Sequence, residues 1–154
     1  MSETDRALRP QNDASLTLSR SEAVVAVLVG CAAVDGVLRA EEAGRLNEIL
    51  TSSRWILESG VEATAGVTTR ALNLITDHGL PAVLTACAEA IPGELRATTF
   101  ALAMDLALAD GRLGSRENAL IDQLQRALRI DDNLARKIIE VLLIKNRASG
   151  RPDL

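Results

Sequence analysis

The sequence predicts an all-α domain, and three observations carry that prediction. Apolar residues make up 47% of the 154, enough for one compact core, and they recur at helical spacing. No stretch alternates apolar and polar residues as a half-buried strand does. Helix punctuation recurs along the chain: a capping box near the start, prolines where helices open and glycines where they close. Together these signals predict a bundle of about seven helices.

The elements follow in order. Ser19-Arg20-Ser21-Glu22 has the form of a capping box, in which the serine accepts from an orphan amide and the glutamate reaches back to the cap. The helix it opens runs to Val34, is apolar nearly all round and therefore belongs at the centre of its half, with Gly36 as its terminator. A second helix, Ala40 to Ser52, sets Leu46, Ile49 and Leu50 on one face and charges on the others. Val61 to Thr76 reads as a third, closed near Gly79. Pro81 opens a fourth that reaches Ala90, and Pro92 precedes a fifth, Gly93 to Ala109, closed by Gly111. Ser115 is the expected cap of a sixth helix carrying Leu120, Ile121, Leu124 and Leu128. Asp131 is the expected cap of a seventh carrying Ile138, Ile139, Leu142 and Leu143. The domain so defined spans 19–147, between flexible tails at 1–18 and 148–154.

Composition removes several classes of function. With one Trp, one Phe and no Tyr the chain lacks the aromatic platforms of single-strand nucleic-acid binders. A net charge of −4 with scattered arginines offers no footprint for a phosphate backbone, so nucleic acid is not an expected partner. The longest apolar run, Ala23 to Val34, falls short of the about 20 residues that span a bilayer, and no direct membrane insertion is expected. No secretory signal opens the chain, so Cys31 and Cys87 are expected as reduced core thiols in a cytoplasmic protein.

One pattern occurs twice. Sliding the second half over the first superposes Asp110 on Asp35, Gly111 on Gly36, Leu113 on Leu38 and Glu117 on Glu42, with an apolar helix before each loop and an amphipathic helix after it. We read this as two pseudo-repeated helix-loop-helix units. Each matches the second half of an EF-hand loop, but the early ligand positions fall on Cys31 and Ala33, and on Leu106 and Leu108, so an ordinary EF-hand is excluded. Two readings of the acids stay open. Pairing of the loops would gather Asp35, Glu42, Asp110 and Glu117 as carboxylate ligands for a divalent metal ion, calcium, magnesium or zinc. Alternatively the glycines supply left-handed turns, the aspartates satisfy loop amides, the leucines plug the core and the glutamates complement helix dipoles.

An ordered set of segments resembles a known family. Val34-Asp35-Gly36-Val37-Leu38 with Glu42, Gly79-Leu80-Pro81, Ile91-Pro92-Gly93-Glu94-Leu95-Arg96, Ala109-Asp110-Gly111-Arg112-Leu113 with Glu117, and Ile138-Ile139-Glu140-Val141-Leu142 with Lys145-Asn146-Arg147 are similar to the tellurite-resistance TerB family. The likeness covers nearly all of 19–147. Ala40 stands where that family offers a polar helix cap, and Val34 where it usually has Ala. The resemblance implies a TerB-like all-helical bundle from bacterial tellurite-resistance and stress-response systems. It further implies a non-enzymatic protein-interaction role through acidic, metal-binding surfaces, with a membrane protein of the same system as partner in some members.

Three single residues complete the reading. Asp105 is the lone charge between Ala97 and Ala109 and needs a partner, with Lys145 and Arg96 as candidates. His78 sits at a helix end with no nucleophile motif beside it. Trp55 is expected to close the core of the first half. No phosphate loop, HExxH or CxxC is present, so no catalytic residue is assigned and no enzyme is expected.

Overall fold

The computed structural model describes residues 16–33, 37–57 and 64–147. Among them are seven helices and no strand: α1 (Arg20–Ala32), α2 (Ala40–Ser52), α3 (Thr64–His78), α4 (Leu80–Ala90), α5 (Gly93–Ala107), α6 (Ser115–Leu128) and α7 (Asp132–Lys145). No helix among the described residues is long and apolar enough to cross a membrane.

The capping box forms as its sequence dictates. Ser19 Oγ accepts from the Glu22 amide at 3.1 Å and Glu22 Oε1 accepts from the Ser19 amide at 3.0 Å. The helix it starts is the hub of the bundle. Ala23 through Val29 are completely buried, and α1 packs against α3, α4 and α5. An all-round apolar helix has no face to give to water, which is why the later elements wrap it.

Around that hub, α5 buries Thr99, Phe100, Ala103, Met104 and Leu106 and carries α6 and α7 on its outer side. The α2 helix buries only Leu46 and Leu50. Packing begins before the cap: Leu18 is buried and Leu16 lies against the core, although both fall in the segment read from sequence as a tail. The rest of the two expected tails, 1–15 and 148–154, lies outside the described residues, as do Asp35 and Gly36.

Several boundaries differ from the sequence reading for local reasons. The fifth helix stops at Ala107, two residues early, because Leu108–Asp110 turn away and the Gly111 amide donates to the Leu108 carbonyl at 2.9 Å. Gly114, not Ser115, is the N-cap of α6, and Glu117 Oε2 accepts from its amide at 3.1 Å. Asp131 caps α7 as expected, accepting from the Asn133 and Leu134 amides.

The candidate acidic cleft

The ends of α1 and α5 and the starts of α2 and α6 enclose a cleft of about 390 Å³, lined by Cys31, Ala32, Glu41, Glu42, Arg45, Leu106, Ala107, Ala109, Asp110 and Glu117. Three pairs in that lining hold corresponding positions in the two halves of the sequence: Cys31 with Leu106, Ala32 with Ala107 and Glu42 with Glu117. The fold therefore brings residues from both halves of the chain to one space. Of the four acids singled out in the sequence, Glu42, Asp110 and Glu117 share the cleft; Asp35 lies outside the described residues.

The carboxylates differ in what already holds them. Asp110 Oδ1 accepts from the Arg112 amide at 3.0 Å, closing the turn around Gly111. Glu117 uses Oε2 on the Gly114 amide, leaving Oε1 without a hydrogen bond. Glu42, in the first turn of α2 behind an N-cap residue, Arg39, that makes no side-chain cap, has Oε2 buried with no hydrogen-bond partner among the described residues. A buried carboxylate oxygen left alone is costly. Arg45, one turn along α2 from Glu41, adds a single guanidinium against the four acids of the lining. Glu41 and Arg45 were missed as lining residues in the sequence: Arg45 stands one turn from Glu42, but Glu41 is its immediate neighbour and shares no face by spacing, so the packing decides that both line the cleft.

Among the described residues, no three His, Cys, Asp or Glu side chains are grouped so that they could hold a metal ion. Cys31 at the cleft wall is a free, buried thiol whose pKa is pushed up to about 12 by desolvation. It stays protonated near neutral pH, when a thiolate is what binds a soft metal. The donors on offer are thus hard carboxylate oxygens.

The remaining singled-out residues are placed by their partners. Asp105 accepts from Lys145 Nζ at 3.1 and 3.2 Å and from Asn146 Nδ2 at 3.0 Å, so its oxygens are occupied away from the cleft. Asn146 is buried and its Nδ2 also donates to the Leu108 carbonyl at 3.2 Å, tying α7 to the turn that leads into Asp110. Arg96 instead caps α4, donating to the Ala88 carbonyl at 2.8 Å and to the Ile91 carbonyl at 3.3 Å. Trp55 is half-buried against the core and its carbonyl accepts from Arg20. His78 ends α3. Leu38 packs on the core, but Leu113, the corresponding residue, is 43% exposed. It does not plug the core, because the second loop lies over the backbone of Asn146 and Arg147 instead.

No curated protein and no solved structure matches the chain. The family model described as tellurite resistance protein TerB matches residues 21–140, which take in both Asp-Gly motifs, and the chain accordingly belongs to the TerB family.

Proposed function

We propose that this TerB-family protein is a non-enzymatic, cytoplasmic protein-interaction module of tellurite-resistance or stress-response type whose acidic cleft takes a divalent cation. The observation that carries the reading is the shared cleft, where Glu42, Asp110 and Glu117 meet Glu41 and where Glu42 keeps a buried oxygen with no hydrogen-bond partner among the described residues. Carboxylates of this kind fit calcium or magnesium, which take oxygen ligands and tolerate water in their shells. Zinc fits less well, because its protein sites draw mainly on Cys and His and this lining is chiefly carboxylate, with no histidine. When bound, the cation would neutralise the cleft and draw the starts of α2 and α6 together. The membrane-protein partner implied by the family resemblance belongs to the same proposal.

A second reading has its own observation. Asp110 and Glu117 each spend an oxygen on a loop amide, which is what acids do when they serve only as caps.

Calorimetric titration of chelator-treated protein with calcium, magnesium, manganese and zinc separates the two. The cation reading expects calcium or magnesium to bind tighter than about 1 mM, with binding abolished in the Glu42→Gln, Glu117→Gln double variant. If all four ions stay weaker than that and the variant alters only stability, the acids are caps.

A further inference from the structure

The outer side of α7 is at odds with a well-packed bundle. Leu134, Val141 and Ile144 are 41%, 62% and 64% exposed, while the adjoining side of the helix buries Ala135 and Leu142. Leu134 and Val141 lie two turns apart on one line and Ile144 follows a turn later, so the three form a stripe about 15 Å long at ~1.5 Å per residue. Lys137 sits on that stripe and Arg147 is exposed beside its Ile144 end, while Arg136 lies on another face, one turn from Asp132. Neither Lys137 nor Arg147 has an ion-pair partner among the described residues, and the exposed acid next to them is Glu140. In a chain of net charge −4, this face is both apolar and basic.

We propose that the α7 face docks an amphipathic helix of another protein, apolar along one side with carboxylates at its edge that meet Lys137. The spacing of the exposed aliphatic residues is that of helix-to-helix anchors, and the unpaired cations supply charge complementarity and select against basic partners. A membrane surface fits less well. Interfacial helices anchor through aromatic side chains, and the only Trp and Phe of the chain pack elsewhere, in or against the core. A second copy fits less well too, because it would place two Lys137 ammonium groups on one apolar seam. The proposal rests on the interaction-module reading and not on the cation.

The test uses two synthetic helical peptides with the same leucine face, one edged by glutamate and one by lysine, titrated against the full chain by fluorescence anisotropy. The expected result is that the glutamate peptide binds at least about tenfold more tightly than the lysine peptide, and protects amides of α7 from hydrogen exchange. Val141→Glu and Lys137→Glu should each weaken that binding by about tenfold or more, a change of the size expected for losing an anchor or a charge pair. Both positions are exposed, so melting should be unchanged, and calcium titration of the same variants should match the parent. Equal binding of the two peptides, binding indifferent to both variants, or protection away from α7 overturns the proposal. So does retention on phosphatidylserine vesicles with no peptide binding, or a dimer that Val141→Glu dissolves. Failure of the parent chain to bind either peptide, with its calcium affinity intact, removes the α7 site and leaves the cleft standing.

Discussion

Gly111 lies against the end of α7 so closely that a Cβ there would come within 2.5 Å of the Asn146 carbonyl oxygen and 3.0 Å of the Arg147 Cα, and its φ of +74° lies in the left-handed region. Conformation and space thus both select glycine. The left-handed backbone alone costs another residue about 1 to 2 kcal/mol, and the clash is with backbone, which cannot swing aside. Gly111→Ala should therefore lower stability by about 2 to 4 kcal/mol. Asparagine tolerates the left-handed region better but still carries a Cβ, so Gly111→Asn should also destabilise. Thermal melts of both variants check this; recovery of wild-type stability by asparagine would show that only the backbone angle matters.

The same junction allows two neighbouring polar residues to be ranked. Lys145 reaches Asp105 from a largely exposed position, its side chain 59% accessible and that of Asp105 27%, and such pairs contribute under about 1 kcal/mol. Asn146 is 3% exposed and serves Asp105 and the Leu108 carbonyl at once. Asn146→Ala leaves both acceptors short of a donor, at a cost of about 1 to 3 kcal/mol. Urea denaturation should rank Asn146→Ala well below Lys145→Met, and equal losses would mean that the buried amide is not the tie between α5 and α7.

What the sequence made legible was mostly local. The Ser19–Glu22 box, the Asp131 cap and the left-handed Gly111 are each decided within a few residues, and each forms as read. The hub role of α1 was legible because an all-round apolar helix leaves no alternative. The exposed stripe of α7 was not, since Leu134, Ile138, Val141, Leu142 and Ile144 place apolar groups on several faces and only the packing on α5 decides which are covered. Arg96 was read as a partner for Asp105 but turns to the α4 carbonyls, a long-range choice that no spacing encodes. In the cleft, the acids were legible as matching positions of two halves. Arg45 and Cys31 joined them only once the helices were assembled.

Acid should act on the start of α1. Hydrogen bonding from the Ser19 amide is the largest influence holding the Glu22 carboxyl below its usual range, with the Ser19 hydroxyl and the ion pair to Arg70 adding to it against desolvation. A depressed folded-state pKa stabilises the fold above the unfolded value near 4.5 and loses that contribution as pH falls through the folded one. Glu22→Gln should therefore be less stable than the parent near neutrality, with the gap closing as pH drops below the unfolded value near 4.5 and on through the folded one. Ser19→Ala should cost about 1 kcal/mol at pH 7. Melting curves at several pH values test both, and a Glu22→Gln deficit that persists undiminished in acid would assign it to packing instead of charge.

Alkali should act through the two thiols. Burial pushes both Cys31 and Cys87 up to about 12 from the ordinary 9.0, because the thiolate cannot be solvated inside the core. The raised folded value means their stabilising contribution is complete below about 9 and is lost as pH rises toward about 12. In that window the unfolded chain sheds protons that the folded chain keeps, an effect of at most about 1.4 kcal/mol per pH unit for each thiol. Stability against urea should accordingly fall between pH about 9 and pH about 12, and Cys31→Ala, Cys87→Ala should flatten that slope while lowering stability at neutral pH through lost packing. Iodoacetamide at pH ~8 should label neither cysteine in the folded chain and both in urea, since the thiolate is the reacting species. Rapid labelling of Cys31 alone in the native protein would show that the wall of the acidic cleft opens, and would restore a thiolate to its list of available ligands.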